Sequence, residues 1–325
     1  MIKIGLIGIG YLGKKHLQHL LNLESIKLAA VFDIDPLICE IVRAEFGVNV
    51  SNNLNELLDS VDAVDIATPT STHFEVAKLA IDAGKHLFVE KPICASIEEG
   101  KILVETAGDK NLILQVGHIE RFNRARRSLE MIDFNPRFIE AHRLAMWNPR
   151  GVDVAVVHDL MIHDLDLILS MTSSDVKSIH ANGVAVISDS VDIATARIEF
   201  EDGMVANVSA SRISLKNMRK LRLFGGREYI ALDLLKGECE FVGVADELEG
   251  VPDGFHPLGD LAVDDRRRIV YRKFIKVAEG DALRLELTAF RDSILNNVPA
   301  VVSGRDGLRA LDLAERIVSI IQDTN

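Results

Sequence analysis

The chain has 325 residues, with 37 Lys and Arg against 49 Asp and Glu, for a net charge of -12. That length suits two domains with substantial apolar cores, and the acidic balance repels phosphate backbones and anionic bilayers, which argues against nucleic acid or a membrane surface as a partner. No run of about 18 apolar residues predicts a membrane span, and Cys39, Cys94 and Cys239, which show no C-x-x-C spacing, point to a reducing, cytoplasmic setting.

From Met1 to about His118 short apolar runs alternate with helical stretches, the pattern of parallel strands joined by crossover helices. Strands are predicted over 2–7, 27–32, 61–67, 85–89 and 112–116, with a short one near Val48. The first run is broken by glycines and has no small-residue cleavage site, so it reads as a buried strand rather than a secretory leader. Near-continuous Val, Ile, Leu and Ala in the strand interiors imply helices over both faces of the sheet. Asp35 before Pro36 supplies a helix N-cap, Ser96 with Glu99 forms a capping box, and Gly84 ends a helix begun near Ser71. An α/β Rossmann domain, a doubly wound parallel sheet over 1–118, is therefore expected.

After residue 120 the grammar changes. A helix over 154–171 is followed by extended segments, without further helices until Asp281. Alternating residues at 192–200 and 204–213 flank Glu201-Asp202-Gly203, a hairpin turn by composition. Further strands are predicted at 138–146, 176–187, 220–224 and 269–274, and closing helices at 281–296 and 305–321. Residues 119–325 thus read as an α+β C-terminal domain with a large open, mainly antiparallel sheet, whose uncovered face suits a homodimer or homotetramer. The stretch 245–265, acidic and rich in Gly and Pro, reads as a mobile loop. The basic clusters at 121–127 and 266–268 read as solvated faces, Arg121 excepted.

Gly8-Ile9-Gly10-Tyr11-Leu12-Gly13 joins the first strand to an amphipathic helix. Gly8 allows the tight turn, Gly10 the approach of a pyrophosphate to the backbone, and Gly13 close packing of helix on strand. Asp33 lies 20 residues beyond Gly13 at the end of the second strand, placed to accept from both adenosine ribose hydroxyls. Its charge repels a 2′-phosphate, so NAD is expected rather than NADP. Thr68-Pro69 and Glu90-Lys91-Pro92 also end strands at the ligand-binding edge, where Lys91 would stand beside the nicotinamide, its following proline suited to a cis peptide. In the later helix Asp159 and His163 are four residues apart, with Asp166 one turn on. Histidine suits the proton removal that accompanies hydride loss from an alcohol, so His163 is a candidate proton acceptor with Asp159 orienting it or the substrate. The alternatives are a buried structural pair, or a metal site that lacks a thiolate or second spaced histidine; no metal is expected.

These residues together resemble the glucose-fructose oxidoreductase / inositol dehydrogenase / MocA family of sugar dehydrogenases. The resemblance is carried by the glycine loop, Ala67-Thr68-Pro69 with His73, Glu90-Lys91-Pro92, Gly117-His118 with Arg121-Phe122-Asn123, and Asp159-x-x-x-His163. It implies that Lys91, Asp159 and His163 are catalytic, and that Thr68, Pro69, His73, Glu90 and Lys91 join Gly8, Gly10, Tyr11, Leu12, Gly13 and Asp33 at the cofactor. Arg121 and Asn123, with Asp159 and His163, are then expected at the substrate, although Arg124 stands where sugar-nucleotide relatives often have proline. Residues 157–166 and Ser209-Ala210-Ser211-Arg212 look like members acting on UDP-N-acetylglucosamine at its 3-hydroxyl. A free-sugar or cyclitol dehydrogenase, or a non-catalytic NAD-binding sensor, are the competing expectations.

Overall fold

The computed structural model describes residues 1–148, 154–263 and 266–324. They fall into two compact units, Met1–Ile119 with Gly280–Asp312, and Glu120–Glu279 with the chain from Leu313 onward. The sequence division gave everything beyond residue 118 to the second domain. Instead, 280–312 returns to the first unit.

In the first unit β1 (Ile2–Ile7), β2 (Ile26–Phe32), β3 (Ala63–Ile66), β4 (His86–Glu90) and β5 (Leu114–Gly117) form a parallel sheet in the order β2-β1-β3-β4-β5. They are joined by α1 (Tyr11–Leu20), α2 (Pro36–Phe46), α3 (Leu54–Ser60), α4 (His73–Asp82) and α5 (Ile97–Asp109). Every residue of β3 and β5 is buried, as two covered faces require. The caps form as expected. Asp35 accepts from the Leu37 N–H at 2.9 Å and Ser96 from the Glu99 N–H at 3.3 Å, and Gly84 takes a φ of +71°. The strand expected near Val48 is a single bridge from Val31 to Val50.

The return of 280–312 has a packing cause. Helix α8 (Ala282–Asn296), capped by Asp281, buries Leu283, Leu287 and Phe290 in the same core as Ile4, Leu6, Leu17, Val31 and Phe88. Phe290 meets Phe88 edge to face at 5.9 Å. At roughly 1.5–3 kcal/mol per fully buried large apolar side chain, these three account for several kcal/mol of attachment.

The second unit is built on β6 (Phe138–Leu144), β7 (Val176–Val184), β8 (Ile193–Phe200), β9 (Val205–Ser211), β10 (Met218–Phe224), β11 (Glu228–Asp233), β12 (Glu238–Ala245), β13 (His256–Val263) and β14 (Arg266–Ile275). They form one sheet, β13-β14-β12-β11-β10-β6-β9-β8-β7, antiparallel throughout except for β6 beside β9. The predicted hairpin is there, with Gly203 at φ +87° and Asp202 accepting from the Met204 N–H at 2.9 Å. Two expectations are corrected. Strands β11 and β12 fill the gap before 269, and within the stretch expected to be a mobile loop β13 pairs with β14; 264–265 lie outside the described residues. The second unit also holds α6 (Arg124–Arg127) and α7 (Ile162–Leu169), and the final helix α9 (Gly304–Thr324) ends in it. The helix expected over 154–171 opens with a π-helical turn, Val157–Met161, before α7.

Candidate active site

The order of strands reverses between β1 and its two neighbours, the position where open α/β sheets take ligands at their carboxyl ends. The glycine loop lies there, between β1 and α1. Gly8 has φ +88°, and a Cβ on it would meet the Ala67 carbonyl oxygen at 2.8 Å. A Cβ on Gly13 would lie 2.0 Å from the Gly8 carbonyl oxygen, so loop and helix pack backbone to backbone. A Cβ on Gly10 would meet nothing within 4 Å. Two glycines are therefore required by the protein's own packing, while Gly10 faces open space at the start of a helix with no acidic residue in its first turn. The residues present fit a dinucleotide pyrophosphate: an N-terminal helix end, favourable to anions, behind a backbone that a ligand can approach.

Asp33, at the end of β2, is half-buried; its Oδ2 accepts from the Ile9 N–H at 2.6 Å and its Oδ1 from the Asp35 N–H at 3.0 Å. It therefore ties the glycine loop to the second strand as well as presenting a carboxylate at the sheet edge. His73 was expected at the cofactor. It is buried, with Nδ1 2.9 Å from the Pro92 carbonyl oxygen and Nε2 2.9 Å from that of Thr68. It staples the loop after β3 to the loop after β4. The Lys91–Pro92 peptide is cis. Lys91 itself is half-buried, directly after β4.

Behind the glycine loop stands a cluster that sequence reasoning missed. His16, one turn into α1 from Gly13, is buried between two carboxylates, with Nδ1 2.8 Å from Asp65 Oδ2 and Nε2 3.0 Å from Glu90 Oε1. Glu90 Oε2 in turn accepts from the Lys91 N–H at 3.1 Å. Because carboxylates accept, a ring donating to both must carry both protons. Burial opposes that charge, but Asp65 and Glu90 outweigh it and hold His16 protonated well above its ordinary 6.5. Burial also works against the Glu90 carboxylate, yet the His16 contact and the Lys91 N–H keep it below its ordinary range. The only sequence signal was a charged residue, Asp65, inside an otherwise apolar strand.

In the second unit, Asp159 lies in the π turn and His163 in the first turn of α7; both are half-buried. Such turns are frequent at functional sites. The helix is locked in rotation by the acids that follow. Arg143 of β6 binds Asp164 through Nε at 2.9 Å and Nη2 at 2.8 Å, and reaches Glu120 through Nη1 at 2.8 Å. Burial disfavours the guanidinium, but the two carboxylates raise its pKa above the ordinary arginine value. Arg121 holds Asp166 in the same bidentate way, at 2.6 and 2.8 Å. Asp166 thus anchors the helix through Arg121.

Both residues expected at the substrate from the 121–123 motif are held by partners within the second unit. Arg121, expected at the substrate, has its side chain about 10% exposed and bound to Asp166. Asn123, also expected there, accepts from the Ala125 N–H at 3.0 Å to cap α6 and donates to Glu120 and the Leu234 carbonyl oxygen, each at 2.9 Å. Of the motif Ser209-Ala210-Ser211-Arg212, Arg212 is buried, donating to the Val191 carbonyl oxygen at 3.1 Å and to that of Val154. Asp192 beside it accepts from the N–H groups of Val186, Ile187 and Ser188 at 2.7, 2.7 and 3.0 Å, which folds the β7–β8 loop.

With the geometry in place, comparison with known proteins is direct. Residues 2–118 match the family described as "Oxidoreductase family, NAD-binding Rossmann fold", and residues 133–231 match the "GFO/IDH/MocA C-terminal domain". The chain is similar to a UDP-N-acetylglucosamine 3-dehydrogenase of Acidithiobacillus ferrooxidans, 36% identical over 97% of this chain and 96% of that one. A crystal form of that enzyme superposes with a TM-score of 0.87 at 34% identity, over 99% of this chain and 98% of the other. A myo-inositol 2-dehydrogenase of Thermotoga maritima is 25% identical over 95% of this chain and 93% of its own. A nicotinamide cofactor and dehydrogenase chemistry at an alcohol follow, and among the described residues no helix is long and apolar enough to cross a membrane. The chain belongs to the GFO/IDH/MocA family of NAD-binding oxidoreductases.

Proposed function

We propose that the chain oxidises the 3-hydroxyl of UDP-N-acetylglucosamine to the 3-keto sugar, with NAD as the hydride acceptor. The observation that carries this reading is the 36% identity to the A. ferrooxidans enzyme over nearly the whole of both chains. Gly8 to Gly13 would hold the pyrophosphate, and Asp33 the adenosine ribose. The carboxylate at Asp33 supports NAD over NADP, since a 2′-phosphate would meet a like charge. When bound, the cofactor supplies a nicotinamide C4 that accepts hydride. His163 takes the hydroxyl proton at a ring nitrogen, Asp159 orients the imidazole or the sugar, and the Lys91 ammonium steadies the oxygen as it loses its proton.

A second reading, oxidation of a cyclitol, is favoured by the similarity to the T. maritima myo-inositol enzyme. Incubation of protein and NAD with UDP-sugars, hexoses and inositols, followed at the reduced-nicotinamide absorbance, separates the two. UDP-N-acetylglucosamine should reduce NAD and yield a product two mass units lighter. Turnover of inositol alone would transfer the assignment to cyclitols. NAD binding with no turnover on the whole panel would leave an NAD-binding sensor.

The reading extends to a second copy of the chain against the nine-stranded sheet, where Phe138, Phe224 and Tyr229 form an aromatic row with ring centroids 5.7 and 5.0 Å apart. Sedimentation should give a dimer or tetramer, and a monomer at micromolar concentration would refute it. Three free cysteines support a reducing, cytoplasmic setting.

A further inference from the structure

His16, Asp65 and Glu90 come from α1, β3 and β4, and together they place three ionisable side chains behind the glycine loop. His16 and Asp65 are fully buried, and the Glu90 side chain is 14% exposed. Folding does not need such a cluster. Charges buried in this way cost several kcal/mol each before their mutual attraction is counted, and apolar residues of similar volume are often as stable or more so. The second oxygen of Asp65, Oδ1, is buried without a hydrogen-bond partner among the described residues, a further cost. What the cluster does achieve is geometric. His16 fixes one oxygen of Glu90, which leaves the other on the Lys91 N–H. A Cβ on Gly117 would approach that same oxygen to 3.0 Å, so the glycine in β5 leaves the room that the carboxylate occupies.

We propose that Asp65, His16 and Glu90 form a positioning relay that fixes the backbone at Lys91, and with it the direction of the lysine side chain. The relay rests on the reading of Lys91 as a catalytic residue; His16, Asp65 and Glu90 act through it and are positioning residues. The ring keeps both of its protons, Nδ1 donating to Asp65 and Nε2 to Glu90. The charged groups facing the ring are Asp65 from β3 and Glu90 from β4, while Phe88 of β4 meets it edge-on with ring centroids 5.5 Å apart.

The test uses the full-length protein carrying His16→Gln, Glu90→Gln or Lys91→Ala. The first two should lower kcat about 10- to 100-fold, the scale of a misplacement near 1 Å, with KM for NAD within about threefold. Lys91→Ala should nearly abolish turnover. If Lys91→Ala is inactive while His16→Gln and Glu90→Gln keep kcat within threefold, the relay is refuted and the reading of Lys91 stands. If Lys91→Ala keeps its kcat, that reading itself fails. An independent readout needs no cofactor: in proton NMR of the free protein the His16 C2–H should not titrate between about pH 6 and 8, and should begin to do so in Glu90→Gln. Titration of the unaltered protein near pH 6.5 would overturn the proposal, even if a variant failed to fold.

Discussion

Alanine at Gly10 and alanine at Gly13 should fail in different ways. Gly10 has φ −68° and ψ −159°, negative-φ backbone that alanine adopts, and its added methyl would meet nothing within 4 Å. Gly10→Ala should therefore leave the free protein as stable or slightly more so, by about 0.4–1 kcal/mol, through a less flexible unfolded chain. Its methyl would fill the space where a pyrophosphate must approach the backbone. In the unaltered protein, NAD at one hundred times its Kd should add about 2.7 kcal/mol, roughly 5–10 °C in the melting of the first unit. That increment should collapse in Gly10→Ala. At Gly13 the added Cβ lies 2.0 Å from the Gly8 carbonyl oxygen, a backbone atom that cannot rotate away as a side chain would. The loop must shift, at about 1–3 kcal/mol or more, so Gly13→Ala should melt several degrees lower even without cofactor. Differential scanning calorimetry with and without NAD measures both effects. An unchanged NAD increment in Gly10→Ala, or equal losses of free-protein stability in the two variants, would refute the division between glycines needed for packing and the glycine left for a ligand.

Asp33→Ser or Asp33→Arg should raise kcat/KM with NADP relative to NAD. Both should also loosen the loop, because Asp33 accepts from the Ile9 N–H at 2.6 Å; an unchanged cofactor ratio in steady-state kinetics would remove the ribose role. Arg143→Met leaves Asp164 buried without its bidentate cation, while Glu120 keeps Arg219 at 3.1 Å, and should cost about 3–5 kcal/mol by urea denaturation. Adding Asp164→Leu should restore part of that loss, and additive losses would argue against a coupled network. Burial works against the Asp192 carboxylate, but the Ser188, Ile187 and Val186 hydrogen bonds outweigh it and depress its pKa below the ordinary 3.8. A depressed pKa contributes stability above 3.8 that is lost as pH falls through the folded value. Asp192→Asn should thus be less stable at pH 7 by about 2 kcal/mol, and should lose less further stability than the unaltered protein below about pH 4.

The glycine loop and the strand before it were legible because their signals are local: turn chemistry, helix spacing and an apolar run within a dozen residues. The same holds for the caps at Asp35 and Ser96 and for the hairpin at 201–203. Edge strand β13 was not legible, since its residues from His256 to Ala262 are all exposed and no inward face imposes a period of two. Strands β11 and β12 did carry such a signal in Ile230, Leu232, Cys239 and Phe241, all buried. Arg121 and Asn123 show the opposite difficulty. Their types suit a substrate, and only the position of Asp166, 45 residues on from Arg121, shows where the guanidinium goes.

By itself, then, the sequence determined the parallel-sheet unit and the dinucleotide loop within it. Each depends on backbone conformation or periodicity within one element. The tertiary structure decided which polar groups meet: His16 with Asp65 and Glu90 across 49 and 74 residues, Arg143 with Glu120 and Asp164, and α8 with the sheet its number in the chain did not suggest. Helical or strand spacing tells a residue which way it faces. It does not name the partner on the other side, which is fixed only when distant elements pack and every buried charge must find its counterpart.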